Sequence, residues 1–319
     1  MWPCSSGSLL WPAGVADVLN VLFDPILPVF AILFVGYIAG RLGKMTDEEA
    51  RILNRFAMTV LLPVFVFRAV AFAPITDFNI AALGLYASAQ AVLYAVGFVI
   101  AHKVFRLGVS ESILLGFCGV FANNAYYVLP IAKLLYGETA TLPVASIVIM
   151  DAVLAFGGTM VALEARKGRD AGAGLALVAK RIAQLPLIWA LALGLLFSAA
   201  AIAIPAPINT FTSFVGNAAS PIALFAMGVI LAATPIKPEP VAIVISGLKA
   251  VIFPATIAAL LYTLLPPSDT LSLFVLASAG PAGVMAFSLA LLYSVRTDAI
   301  MQVTVWTSVL TLISLAFLA

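Results

Sequence analysis

Gly119-Val-Phe-Ala-Asn123-Asn124-Ala-Tyr-Tyr-Val-Leu-Pro130 is an apolar run suited to a helix, yet it carries two adjacent amides and a proline. Proline lacks a backbone N–H and its ring clashes with the preceding turn, so the stretch reads as a broken helix. A second stretch, Ala279-Gly280-Pro281-Ala282-Gly283, joins a proline to two glycines that tolerate backbone conformations closed to other residues. Both interruptions lie inside long apolar runs.

The rest of the chain sets their environment. Of 319 residues, 64% are hydrophobic and 9% charged, with a mean hydropathy of +1.16. Soluble domains have about a quarter of their residues charged, so the composition is that of a polytopic membrane protein. A hydrocarbon core roughly 30 Å thick takes about 20 apolar residues per helix, which allows about ten crossings and no soluble domain. Apolar runs lie at 22–42, 51–73, 79–102, 111–133, 139–163, 182–203, 209–233, 241–265, 270–293 and 297–318, segments one to ten. None shows the polar–apolar alternation of barrel strands. The predicted fold is an all-α membrane protein of ten transmembrane helices, with the two interrupted runs in segments four and nine.

Charge placement predicts the topology. Cytoplasmic loops hold the Lys and Arg excess. Thirteen of the sixteen basic residues fall at the odd-numbered connections: Arg41, Lys44, Arg51, Arg55, Lys103, Arg106, Arg166, Lys167, Arg169, Lys180, Arg181, Lys237 and Arg296. Arg68 and Lys133 are on the even side, and Lys249 lies inside segment eight. Odd connections are therefore expected in the cytoplasm and both termini outside, in a multi-pass protein of the cell (inner) membrane. Residues 1–21 lack a basic n-region, a poor fit to a signal peptide, and read as an external tail, with a translation-start artefact over the first dozen or so residues (1–14) as the alternative.

The two halves share landmarks. Pro28 and Gly36 match Pro186 and Gly194 at an offset of 158, and the same offset pairs Phe56 and Pro63 with Phe214 and Pro221. Pro130 and Pro281 pair at 151, as they would across a shorter connection. Five segments per half is an odd number, so the halves enter the membrane in opposite senses and form a 5+5 inverted repeat, a recurrent transporter architecture. The expected division is 22–164 and 182–319 for the repeats, with 165–181 as a cytoplasmic connection.

Interrupted helices at corresponding places in two such halves point to a substrate site. Freed N–H groups and half-helix N-termini face anions there, and Asn123 and Asn124 add amides without a buried charge. Pro and Gly are common in membrane helices and a lone Asn can be interhelical glue, so it is the matched pair that carries the site reading. The candidate substrate residues are Asn123, Asn124, Pro130, Gly280, Pro281, Gly283 and Lys249. Asp151 is the only acid in mid-segment, and an ionisable residue at that depth is a functional hypothesis by default. It is the candidate carrier of a coupling proton or Na⁺, with hydrogen bonding to its neighbours as the structural alternative. Gly36-Tyr-Ile-Ala-Gly40 reads as small-xxx-small packing.

Asn123 with Pro130, Leu53-Asn54-Arg55-Phe56 ahead of Pro63, Asn217-x-x-x-Pro221-x-x-Leu-Phe225-x-x-Gly228, Lys249-x-x-x-x-Pro254, and Pro281-x-Gly283 with Tyr293 resemble the auxin efflux carrier family. That family includes plant auxin exporters and bacterial carriers described as malate or malonate permeases. The resemblance implies broken helices four and nine crossing at the substrate site and a scaffold of segments one, two, six and seven, with Pro63 and Pro221 as its prolines. It further implies a transport unit of segments three to five and eight to ten moving as an elevator, and in many members a homodimer through the scaffold. Here Ala125 and Val128 stand where small residues such as glycine are common in the family.

Two cysteines and one histidine are poor material for metal or redox chemistry, so no cofactor or metal is expected. The net charge of +2 forms no patch for nucleic acid. A small organic anion and the lipid bilayer are the expected partners. A channel or sensor on the same fold is the main alternative; a membrane-embedded enzyme lacks a nucleophile with its base.

Overall fold

A computed structural model describes residues 27–72, 79–166, 180, 183–184, 186–233, 239–283 and 285–318. The N-terminal tail, most of the connection between segments five and six, and Lys237 lie outside the described residues. The described chain is nearly all helical, and its one β-type contact is an isolated antiparallel bridge between Ala122 and Ala282.

Five helical stretches among the described residues are long and apolar enough to cross a membrane: Asp47–Arg68, Ile80–Val104, Thr141–Arg166, Ala206–Ala232 and Pro240–Leu264. Shorter apolar helices occupy Phe30–Arg41, Val109–Cys118, Ile188–Ala199 and Thr270–Ala279. The elements used below are α1 (Leu27–Arg41), α2 (Asp47–Phe56), α3 (Leu62–Ala71), α4 (Ile80–Val99), α5 (Val109–Cys118), α6 (Leu129–Tyr136), α7 (Thr141–Met150), α8 (Gly157–Arg166), α9 (Pro186–Ala199), α10 (Ala206–Asn217), α11 (Ala219–Ala232), α12 (Pro240–Gly247), α13 (Phe253–Leu264), α14 (Asp269–Ala279), α15 (Met285–Leu292) and α16 (Asp298–Leu318).

Segment two begins four residues earlier than its apolar run. Thr46 and Glu49 form a reciprocal capping box, in which the Glu49 amide donates to Thr46 Oγ1 and the Thr46 amide to Glu49 Oε2. That arrangement satisfies two backbone donors at the helix start, so polar residues 47–50 join the helix.

Widened turns follow a rule of their own. They occupy Ala57–Leu61, Ile100–Val104, Asn124–Val128, Asp151–Phe156 and Leu248–Ile252. Three end two residues before a proline, at Pro63, Pro130 and Pro254. A widened turn moves the upstream carbonyl off the proline ring, so the helix continues instead of stopping. Such turns are frequent at functional positions. Asn124 and Asp151 each begin one, and Lys249 is the second residue of another.

Packing sorts the helices into two groups. In the first, α1 and α2 lie against α11, while α3 packs on α9 and α10. The α1–α11 crossing is so close that a Cβ on Gly36 would fall 2.1 Å from the Phe225 carbonyl oxygen, and one on Gly228 would fall 2.0 Å from that of Leu33. Gly36 thus serves packing, as its small-xxx-small setting suggests. In the second group, α4 packs on α5 and α13, α13 on α14, and α12 on α16. The groups meet where α7 touches α3 and where the Asn124–Val128 turn touches α11. Four alanines, Ala57, Ala145, Ala219 and Ala223, are buried in that contact among Leu61, Leu62, Val66, Val70 and Tyr126.

Candidate functional site

Segment four enters as α5, leaves the helix at Gly119, and resumes through the widened turn into α6. Segment nine enters as α14, opens at Gly280, and resumes as α15. The two openings cross. The Asn123 amide donates to the Pro281 carbonyl at 2.8 Å, beside the Ala122–Ala282 bridge. Helix termini leave backbone groups unsatisfied, and here each break supplies part of the other's missing pairing. A Cβ on Gly280 would lie 2.4 Å from Val128 Cγ2, so glycine at 280 makes room for the valine at 128.

The segment-four side of this crossing faces a cavity of about 450 Å³. Phe121 to Tyr126, Asp151 and Gly283 form its deep wall, and Arg51, Asn54, Arg55 and Thr59 line it along one face of segment two. The backbone N–H groups of Ala125 and Tyr126 stand at the start of the resumed helix, and among the described residues neither has a backbone acceptor. A half-helix N-terminus with unpaired amides carries partial positive charge, and the half-buried Asn123 lines the cavity next to it. Such an arrangement offers hydrogen-bond donors and partial positive charge, chemistry that suits a carboxylate.

Asn124 and Asp151 of this wall belong to a buried polar cluster. Gln90 Nε2 donates to Asp151 Oδ1 at 2.7 Å, and Asn124 Nδ2 to Asp151 Oδ2 at 3.2 Å. Gln90 Nε2 also reaches the Val120 carbonyl at 3.3 Å, tying the acid to the break itself. The Tyr86 hydroxyl is buried beside Asn124 and Asp151. Asp151 is 2% exposed, and both of its oxygens accept from neutral amides.

Lys249 is elsewhere. It is wholly buried, does not line the cavity, and donates from Nζ to the Ser278 carbonyl at 2.6 Å, with the ammonium 5.0 Å from the centre of the Phe253 ring. Lys249 therefore closes the frayed carbonyl end of α14. It lies within electrostatic reach of Asp151, but no ion pair joins them. Segment ten completes the support: Thr307 Oγ1 accepts from the Ala282 amide at 3.0 Å, and Thr311 Oγ1 donates to the Ala279 carbonyl at 3.1 Å.

The remaining candidates divide between faces. Asn123, Asn124 and Gly283 line the first cavity, whereas Gly280 and Pro281 are buried in the crossing. Pro130 and Pro221 line a second cavity of about 380 Å³, together with Lys133, Asn217 and Ser220. Ala125 borders both cavities, and Ser220 Oγ donates to the Tyr126 carbonyl at 2.7 Å between segments seven and four. Pro63 is buried inside segment two and lines neither cavity.

Sequence reasoning missed Gln90, the Arg55 face of segment two, and Thr307 and Thr311. A glutamine amid apolar residues in segment three was a visible signal. So was the spacing of Thr304, Thr307 and Thr311, which puts three hydroxyls on one helical face.

Residues 21–319 match the family described as membrane transport protein. A relative from Rhizobium meliloti (strain 1021), named "Putative malonate transporter", is 31% identical over 223 residues, 67% of this chain and 68% of the relative. An uncharacterized transporter of Saccharomyces cerevisiae is 29% identical over 90 residues, covering 28% of this chain and 14% of its own.

Proposed function

The chain belongs to the membrane transport protein family, the auxin efflux carriers whose motifs it carries, and from that premise we propose a secondary transporter that moves a small organic anion by alternating access. The observation that carries this reading is the cavity against the segment-four break, which Asn123, Ala125 and Tyr126 line and where the Ala125 and Tyr126 amides have no backbone acceptor among the described residues. A mono- or dicarboxylate of the auxin or malate type suits such donors, and the name of the Rhizobium relative makes malonate the first compound to test.

In this reading ten helices cross the membrane as inverted repeats 22–164 and 182–319, joined by the cytoplasmic connection 165–181. Both termini face outward. Two contacts support that sidedness: Arg296 Nη2 meets Glu239 Oε1 at 2.6 Å between the seventh and ninth connections, and Arg68 Nε donates to Asn209 Oδ1 at 3.2 Å between ends assigned to the outer side. The cavity then opens to the cytoplasm beside Arg51 and Arg55, and the Pro130–Pro221 cavity opens outward. Segments one, two, six and seven act as scaffold, also the surface for a homodimer, and the others slide along the small-residue contact as an elevator. Asp151 carries the coupling proton or Na⁺, which offsets the roughly 2.3 kcal/mol per 100 mV that each anion charge meets when it enters against the membrane potential. Lys249 holds the segment-nine break in shape from outside the cavity, and substrate contact falls to segment four.

A thermal-shift series of mono- and dicarboxylates on the purified protein, followed by uptake of the stabilising compounds into proteoliposomes, tests this. Stabilisation that rises with ligand concentration, together with saturable uptake, is expected. Ohmic single-channel currents, or hydrolysis without uptake, would contradict it.

A further inference from the structure

Segment two presents one face to the cavity, through Arg51, Arg55, Thr59 and Leu62 at helical spacing. Its two arginines differ. Arg51 is already engaged: its Nε meets Asp47 Oδ2 at 2.6 Å and its guanidinium lies 4.5 Å from the centre of the Phe287 ring. Arg55 is exposed to the cavity and has no acidic partner among the described residues. Deeper in the cavity, both oxygens of Asp151 are held by Gln90 and Asn124, so the acid does not reach out to claim it. Ala125 and Tyr126, whose amides have no backbone acceptor among the described residues, line the same cavity, and Tyr126 packs in one apolar cluster with Leu62 of segment two. Arg55 precedes Leu62 by seven residues, about 10 Å along the helix axis. A guanidinium on its extended stem and a short dicarboxylate close that gap between them.

We infer that Arg55 is a specificity-determining residue that takes the second carboxylate of a dicarboxylate whose first carboxylate rests on the segment-four amides. This rests on the organic-anion reading above. A planar guanidinium pairs two N–H groups with two carboxylate oxygens, which neither lysine nor an amide reproduces. A monocarboxylate keeps only the deep contact, so Arg55 separates the two classes of anion instead of strengthening both.

The test measures Kd for malonate and for propionate by calorimetry on the full chain, in wild type, Arg55→Gln and Arg55→Lys. In wild type malonate is expected to bind more tightly than propionate. In Arg55→Gln the preference for malonate over propionate should fall about tenfold or more, and Arg55→Lys should keep part of it. An unchanged preference in both variants, or an equal loss for both anions, overturns the assignment. Wild type that binds propionate but not malonate overturns it while leaving the organic-anion site standing. Wild type that binds neither overturns the site and the assignment together.

Discussion

The two broken helices cross at one point but are finished in opposite ways. In segment nine four backbone groups near the break meet a side chain or the other break: Lys249 takes the Ser278 carbonyl, Thr311 the Ala279 carbonyl, Thr307 the Ala282 amide, and the Asn123 amide the Pro281 carbonyl. Residues 280 to 283 are buried. In segment four Gln90 and Asn124 donate to the two oxygens of Asp151, while among the described residues Asn124 Oδ1 is left without a partner and the Ala125 and Tyr126 amides, on residues that line a cavity, have no backbone acceptor. Pairing every polar group makes a break rigid and dry, and leaving donors at a helix start makes it receptive. If the proposed repeats and site hold, the two breaks divide their labour, one as support and the other as binding surface.

The heaviest blow to the supporting side is Lys249→Ala. It strands a buried carbonyl and leaves a void where the stem lay, at a cost of about 3 kcal/mol. The expected signature in detergent is a large fall in melting temperature, with anion Kd in the folded fraction within about twofold of wild type. A tenfold weaker Kd at unchanged melting temperature would instead put Lys249 on the substrate and erase the asymmetry.

A smaller and more local change is Gly280→Ala, whose new Cβ meets the stiff, β-branched Val128 at 2.4 Å. Overpacking of this kind costs about 2 kcal/mol. Val128→Ala in the same chain should restore most of the lost melting temperature. Failure of that rescue would mean the crossing is held by contacts other than this pair.

Asp151→Asn should be milder still for the fold, about 1 kcal/mol, because an amide oxygen still accepts from Gln90 or Asn124 and the other group can turn. Its expected effect is on coupling. Transport measured in proteoliposomes at fixed membrane potential should lose its pH dependence while substrate binding persists. Unaltered pH dependence would return Asp151 to a structural role in the wall.

Much of this was legible in the residues. Apolar length marked the helical runs, and Gly280 and Pro281 marked the segment-nine opening, because a missing donor and a missing Cβ act locally; Pro130 instead sits in the resumed helix, past the segment-four opening at residues 119–123, because a widened turn lets the helix run through it. Asn124 and Asp151 were flagged separately as polar atoms at depth; their hydrogen bond spans 27 residues and has no local signature. Lys249 shows the limit most clearly. Its charge and position were plain, yet which partner a long flexible stem reaches depends on packing between segments eight and nine. Arg55 was masked by its company, since a basic residue near a helix end reads first as a topology signal. The capping box at Thr46 and Glu49 was in view as T-x-x-E, but hydropathy gave it no weight because a helix start is set by backbone donors and not by apolar content.

The central claim, that substrate rests on the segment-four break, is tested most directly by uptake of radiolabelled malonate into proteoliposomes bearing wild type or Asn123→Ala. The variant is expected to insert and melt like wild type, since the Asn123 contact with Pro281 is made by the backbone. Its uptake should fall to the level of empty liposomes. Uptake at the wild-type rate by a folded Asn123→Ala protein would contradict the account and move the substrate away from segment four.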